Sequence, residues 1–203
     1  MNTTWYIARA GGLVALALLT ATVVLGMAMS GRASQRRWPR FAVEDVHRFA
    51  SLLTWSFVGI HALALLVDDY YSFSLSTLVV PGLAPYRPVP VALGVVALEL
   101  LAALALTNKL RSRLPHTFWR RAHYANFVVW LLALGHGVTA GTDSDTMWGL
   151  TLYVLCAGLV GGVAAWRVLR LRAAPAWAIR VWSPVAALAA ADLAVFLDLA
   201  IVR

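Results

Sequence analysis

The stretch HRFASLLTWSFVGIH, residues 47–61, decides the fold together with a second stretch, HYANFVVWLLALGH, residues 123–136. Each is apolar and begins and ends with a histidine, and the two histidines are fourteen residues apart in the first stretch and thirteen in the second. An α-helix of that length rises about 20 Å, so each helix would carry one imidazole near each side of a hydrocarbon layer about 30 Å thick. Two such helices can hold two haems stacked across a membrane.

The composition places the chain in a lipid bilayer. Of the 203 residues, 61% are hydrophobic and 13% are charged, and the mean hydropathy is +0.75. That leaves too few polar residues to cover a water-soluble globule of this size. The net charge of +8 could indicate nucleic acid, but the basic residues lie at the ends of apolar stretches, so we expect no nucleic-acid partner. A single cysteine, Cys156, provides neither a disulfide framework nor a cysteine metal site.

Six apolar stretches have about the length that a membrane crossing needs: 10–29, 46–67, 90–107, 121–138, 147–166 and 184–201. Each must satisfy its own backbone hydrogen bonds inside the bilayer, and the alternating pattern of a barrel strand is absent. We therefore predict an all-α bundle of six transmembrane helices that forms a single domain over residues 1–203. The first stretch is long and is followed by four arginines, so we expect it to be retained rather than cleaved as a secretory signal.

The basic residues predict the orientation of this bundle. They concentrate in three segments between the apolar stretches: 30–48, 108–123 and 167–183. The loops on the opposite side carry acidic residues: Asp68, Asp69, Asp143 and Asp145. The positive-inside rule places the basic segments in the cytoplasm and both termini outside. We therefore expect a multi-pass protein of the cell's inner (plasma) membrane.

In this topology the second and fourth helices run in the same direction. His47 then lies at the depth of His123, and His61 lies at the depth of His136. A histidine inside a lipid span is costly and usually functional, although any one of them could simply hydrogen-bond a neighbouring helix. Four histidines at two matched depths favour a functional set.

One detail of the second stretch conflicts with a straight helix. Thirteen residues fall about 140° short of four full turns, so His123 and His136 would not share a face. Gly135 and Gly137 flank the second of these histidines, and we expect them to permit a local distortion or a close approach of the haem.

Two tryptophans are candidate electron relays. Trp55 and Trp130 each stand six residues before the outer histidine of their stretch, which places two indoles between the two histidine levels. Large aromatic side chains also commonly fill the cores of helix bundles, and this second interpretation stays open.

Several motifs resemble the ferric reductase-like transmembrane domain over roughly residues 40–165. They are HR at 47–48, GIH at 59–61, WRRAHY at 119–124, LGHG at 134–137 and TAGTDS at 139–144. That superfamily includes ferric-chelate reductases, NADPH oxidases and the membrane haem subunit of a bacterial methionine-sulfoxide reductase system.

The resemblance implies two b-type haems held between helices 2 and 4. His47 and His123 would bind the inner haem iron, and His61 and His136 would bind the outer one. Three arginines near the inner histidines could pair with haem propionates, because the guanidinium fork matches a carboxylate: Arg48, Arg120 and Arg121. Ordinary positive-inside anchoring is an equally good interpretation of these arginines.

The source and destination of the electrons follow from what the sequence contains. No Gly-rich strand–turn–helix for FAD or NADPH is present, so we expect an oxidoreductase component that is fed by a separate cytoplasmic flavoprotein reductase. Bis-histidine ligation leaves no open iron position, which favours the passage of single electrons to an outer small-molecule acceptor such as a ferric chelate. The outer segment 68–89 could cap the outer haem, receive a cation, or be a plain loop.

Two alternatives remain open at this point. The chain could be a quinol-linked cytochrome or the membrane haem subunit of a repair reductase, which would require a quinone pocket that sequence cannot reveal. It could also be a non-redox transporter or scaffold whose histidines bind a metal or merely pack.

Overall fold

A computed structural model describes residues 3–30, 39–69 and 71–170. Over these residues the chain is all-helical, with no β-strand. The elements in chain order are α1 (Thr3–Ser30), α2 (Arg40–Leu66), α3 (Leu75–Val79), α4 (Pro88–Lys109), a 3₁₀ turn (Arg111–Arg113), α5 (His116–Tyr124), α6 (Asn126–Ala140) and α7 (Met147–Arg170). The sixth predicted helix, 184–201, lies outside the described residues.

Four of these helices are long and apolar enough to cross a membrane. The candidate spans are Thr3–Met29, Arg40–Leu66, Pro88–Lys109 and Met147–Leu169. They coincide with four of the six predicted stretches, and each extends beyond its stretch at one end or at both. The chain is therefore a multi-pass membrane protein.

The prediction of one helix over 121–138 is wrong. The chain forms α5 and α6 instead, and the break lies at Ala125, whose backbone has φ −64° and ψ −10°. The N–H of Ala125 donates to the carbonyl of Ala122, three residues back, at 2.9 Å. The side-chain amide of Asn126 donates to the carbonyl of His123 at 2.8 Å. A polar side chain next to a helix can compete with the backbone for such a carbonyl, which accounts for a break without proline or glycine.

This break explains how His123 and His136, thirteen residues apart, can face the same way although one straight helix would place them on different faces. His123 lies in the last turn of α5 and His136 lies in α6, so they belong to different helices. Of the two roles expected for Gly135 and Gly137, the local distortion is absent, because α6 continues through both to Ala140. A Cβ at Gly137 would lie 3.0 Å from the ring of Tyr153, so this glycine permits close packing against α7.

The core lies between α1, α6 and α7. Its most buried side chains include Met27 from α1, Trp130 and Leu134 from α6, and Tyr153 and Val160 from α7. Helix α2 packs mainly against α1, and α4 packs mainly against α6. Because α2 and α6 make few close backbone contacts with each other, a gap remains between them, and this gap contains the candidate site.

Polar contacts, partly or fully buried, hold α1 to its neighbours at both ends. Near its start, Thr4 donates to a carboxylate oxygen of Asp68 at 2.7 Å, and the guanidinium of Arg9 donates through Nε to Asp143 at 2.9 Å. Near its end, the guanidinium of Arg167 donates to the carbonyl of Met27. These contacts join α1 to the loop after α2, to the loop after α6 and to α7.

Candidate haem site between helices α2 and α6

The four histidine rings lie in two pairs across the gap. The rings of His47 and His123 have their centres 6.3 Å apart with an interplanar angle of 60°. The rings of His61 and His136 have their centres 6.1 Å apart with an angle of 74°. Helix α2 and the α5–α6 pair therefore run in the same direction. We call these the inner and outer pairs, after the predicted orientation.

The separation of the rings fits two imidazoles that bind one metal ion from opposite sides. An imidazole nitrogen binds a metal at about 2 Å, so two rings bound on opposite sides would have their centres about 6 Å apart. Each site offers two imidazoles, and the described part of the chain contains no group of three or more His, Cys, Asp or Glu side chains that could hold a metal ion. Two ligands suit a macrocycle that supplies four further nitrogens better than a bare tetrahedral ion.

Backbone carbonyls lie within hydrogen-bonding distance of Nδ1 in three of the rings. The Nδ1 atom of His61 lies 2.6 Å from the carbonyl oxygen of Ala8. The other two contacts are His47 with Thr22 at 3.1 Å and His136 with Pro90 at 3.0 Å. A carbonyl oxygen only accepts, so Nδ1 carries the hydrogen in each ring and Nε2 keeps its lone pair for a metal.

His123 is held differently. Its Nδ1 lies 3.5 Å from the side-chain amide of Asn126, and its ring stacks on Trp119 with centres 5.3 Å apart and an angle of 25°. The indole N–H of Trp119 donates to Asn108 at 2.9 Å, and the guanidinium of Arg111 lies 5.4 Å from the centre of the indole ring. The inner pair is therefore asymmetric in its supports.

Each histidine pair lines its own cavity. The outer cavity has a volume of about 200 Å³ and a mostly apolar lining that includes His61 and His136. The inner cavity has a volume of about 1000 Å³ and includes His47 and His123. Three residues line both cavities, which are therefore adjacent along the bundle: Leu19, Thr54 and Leu101.

The three arginines predicted to pair with propionates differ in whether they line the inner cavity. Arg48 and Arg120 are exposed and line the inner cavity. Arg48 also donates to Glu44, one turn away on α2, at 2.6 Å. Arg121 is exposed and is not among the residues that line this cavity. The structure therefore brings two of the three arginines to the site.

The two candidate relay tryptophans also differ. Trp55 is half-buried and lines the inner cavity. Trp130 is 1% exposed, and its indole N–H donates to the hydroxyl of Thr20 at 2.9 Å. It lines neither of the two cavities. Trp130 therefore occupies the position of a core aromatic between α6 and α1.

Sequence reasoning missed a partly buried ion pair at the outer cavity. The side chains of Arg9 and Asp143 are 23% and 6% exposed, they are joined by two hydrogen bonds, and both line this cavity. Arg9 lies inside α1 because the helix begins at Thr3, seven residues before the predicted apolar stretch. A charged side chain so close to an apolar run was the signal that could have identified it.

The outer segment 68–89 contributes side chains to the lining of the outer cavity. Its residues Phe73, Leu78 and Tyr86 line the cavity, and α3 begins within it at a capping box formed by Ser74. Tyr86 donates to the carbonyl of Ala140 at 3.0 Å, which joins this segment to α6. Burial raises the pKa of Tyr86 above its ordinary value, so the phenol stays neutral and keeps its donor.

An aromatic cluster forms in the same region. The ring centres of Trp5 and Tyr71 are 5.0 Å apart, those of Tyr71 and Tyr86 are 4.6 Å apart, and those of Trp5 and Tyr86 are 5.8 Å apart. These spacings lie in the range of favourable aromatic contacts. The cluster connects α1 with the segment that lines part of the outer cavity.

Comparison with known proteins identifies the family of this bundle. The family described as "Ferric reductase like transmembrane component" matches residues 11–134, which is more than half of the chain and includes three of the four paired histidines. The match ends two residues before His136. Comparisons with curated proteins and with solved structures gave no match. The chain belongs to the ferric reductase-like transmembrane component family.

Proposed function

We propose that this protein is a di-haem b electron-transfer protein that carries single electrons across the plasma membrane, from a cytoplasmic donor to an outer acceptor such as a ferric chelate. The observation that carries this proposal is the pair of ring separations, 6.3 Å and 6.1 Å, at two levels of one bundle. Family membership supports a membrane electron-transfer role. The number of haems, the donor and the acceptor are part of the proposal.

The chain's own residues would prepare each site. His47 and His123 would hold the inner haem, and His61 and His136 would hold the outer one. When bound in this way, haem supplies reversible one-electron oxidation and reduction without an open coordination position for substrate. The outer cavity has a mostly apolar lining, which would limit the reorganisation of solvent around a changing charge. Arg48 and Arg120, which line the inner cavity, would be able to pair with haem propionates.

The inner end has the charge that an acidic donor protein would recognise. Seven exposed basic side chains lie on the described elements at this end: Arg40, Arg48, Lys109, Arg111, Arg113, Arg120 and Arg121. We assign the donor to a flavoprotein reductase with an acidic docking face. Attraction between complementary charges steers such an encounter, and this attraction weakens as the salt concentration rises.

The direction of transfer agrees with the membrane potential. With the basic end in the cytoplasm and the termini outside, an electron that moves from the inner to the outer pair leaves the negative side. That step is favoured by about 2.3 kcal/mol per 100 mV for a full crossing.

Oriented proteoliposomes test this proposal. Reduced flavoprotein added at the inner face should reduce both haems, and a membrane-impermeant ferric chelate at the outer face should reoxidise them. A His61→Ala variant should lose outer reoxidation, whereas His116→Ala, which changes an exposed histidine outside both cavities, should behave as the natural protein.

Two results would replace the proposal. Reduction by quinol, together with failure of every flavin donor, would support the quinol-linked cytochrome or the membrane subunit of a repair reductase. A preparation without haem would support the transporter or scaffold.

A further inference from the structure

Three of the four histidine rings share one kind of support. In each case Nδ1 faces a helix carbonyl, and a glycine stands four residues after the residue that provides this carbonyl. The three combinations are Ala8 with Gly12, Thr22 with Gly26, and Pro90 with Gly94. The first two lie on α1 and face α2, and the third lies on α4 and faces α6.

The spacing of four has a physical reason. In an α-helix the N–H of residue i+4 donates to the carbonyl of residue i, and each Cα–Cβ bond tilts towards the helix N-terminus. The side chain at i+4 therefore lies beside the carbonyl at i. Glycine at that position leaves the carbonyl open to a second hydrogen bond from outside the helix.

The three glycines differ in how close a side chain at that position would come to the histidine ring. A Cβ at Gly94 would lie 2.8 Å from Nδ1 of His136, and one at Gly12 would lie 3.1 Å from Nδ1 of His61. A Cβ at Gly26 would lie 3.4 Å from Cε1 of His47, an ordinary contact. Alanine would therefore displace the first ring, crowd the second and leave the third nearly in place.

The arrangement on α1 repeats with the same period as the histidines on α2. Gly12 and Gly26 are fourteen residues apart, as are His47 and His61. Since α1 packs along α2, equal spacing gives both rings the same support at two levels.

We infer that Gly12, Gly26 and Gly94 are positioning residues that set the orientation and hydrogen bonding of three haem ligands, and so the reduction potentials of the two haems. This inference rests on the proposed function. A ring that donates Nδ1–H to a carbonyl is a more basic ligand, which favours the oxidised iron. Loss of that hydrogen bond should therefore raise the potential of the haem concerned.

The test is a redox titration of the purified full-length protein, read from the absorption spectra, with electron paramagnetic resonance of the oxidised haems as a second readout. Gly94→Ala should raise the midpoint potential of the outer haem and change its low-spin signal. Gly12→Ala should do the same to a smaller extent, and Gly26→Ala should have the smallest effect, confined to the inner haem. In each variant the unaffected haem reports that the bundle has folded.

Gly59→Ala is the matched control. It lies on α2, two residues before His61, and nothing lies within 4 Å of a Cβ at this position. It should leave both potentials and both signals unchanged. If Gly94→Ala and Gly12→Ala leave the outer potential unchanged, or if Gly59→Ala shifts it as much as they do, the inference is overturned. A natural protein without haem would instead overturn the proposed function.

Discussion

His61 of α2 and His136 of α6 face each other with ring centres 6.1 Å apart, and each donates its Nδ1–H to a carbonyl of a different neighbouring helix. The ring of His61 is fixed by α1 and that of His136 by α4. Four helices thus contribute to one pair of ligands. This arrangement makes the outer pair a defined site whose loss should be separable from loss of the inner pair.

Replacement of one outer ligand should remove one haem. In His61→Ala or His136→Ala the outer haem should be lost, and the inner haem should remain reducible, because His47 and His123 keep their own supports. Haem content should fall to half, and a redox titration should show one component. The loss of both haems in either variant would indicate a shared site or a collapse of the bundle.

The indole of Trp130 should contribute to stability and not to electron transfer. Trp130→Phe removes the hydrogen bond to Thr20 and part of a fully buried ring, so we expect a loss of about 1–3 kcal/mol. The rate of transfer between the haems should be unchanged, because the ring lines neither cavity.

Thermal unfolding in detergent and flash-induced kinetics test this prediction. The double variant Trp130→Phe, Thr20→Val should lose less stability than the sum of the single variants, since both remove the same hydrogen bond. A slower transfer between the haems in Trp130→Phe would restore the relay interpretation.

The ion pair of Arg9 and Asp143 should stabilise the packing of α1 against the loop before α7. Arg9→Met leaves a carboxylate buried without its partner, and we expect a loss of about 3 kcal/mol. The double variant with Asp143→Leu should recover part of that loss. The matched control is the exposed pair of Arg48 and Glu44, with side chains 64% and 44% exposed, where Glu44→Gln should cost less than about 1 kcal/mol.

Equal losses of unfolding free energy in Arg9→Met and Glu44→Gln would contradict this account of the outer end. The measurement is the same thermal unfolding in detergent, repeated at high salt. Salt should reduce the effect at the exposed pair and leave the buried one nearly unchanged.

Reduction by the flavoprotein donor should depend on salt and on the inner arginines. Raising the ionic strength should slow the association phase, and Arg48→Gln and Arg120→Gln should each slow it at low salt. Stopped-flow reduction of the haems measures this rate. Arg87→Gln, at the opposite end of the bundle, is the control and should leave the rate unchanged; an equal effect there would contradict docking at the inner end.

Much of the fold follows from the sequence because the length of an apolar run decides whether a helix can cross a bilayer. Four predicted spans lie within α1, α2, α4 and α7, together with the residue that follows α2. The break at Ala125 could not be predicted from helix formers and breakers, since no proline or glycine is present there. It depends on the side-chain amide of Asn126, which donates to the carbonyl of His123. This hydrogen bond competes with those of the helix backbone, and an apolar sequence pattern gives no sign of it.

The site is only partly visible in the sequence. The residue types and spacings of the four histidines indicated two levels, but the carbonyls that support three of the four rings belong to residues far away in the chain. Arg9 was visible as a charge next to an apolar run, yet its partner Asp143 is known only from the packing of α1. The glycines at 12 and 26 repeat the spacing of the histidines at 47 and 61, a signal that has meaning only once α1 is known to pack on α2.

The haem content of the purified membrane protein tests the central claim most directly. A pyridine-haemochrome assay against protein mass should give two b-type haems per chain, with the absorption spectrum of low-spin bis-histidine ligation. One haem per chain would mean that only one of the two ring pairs is used. A value near zero would contradict the account, because the separations of 6.3 Å and 6.1 Å would then reflect packing and not ligation.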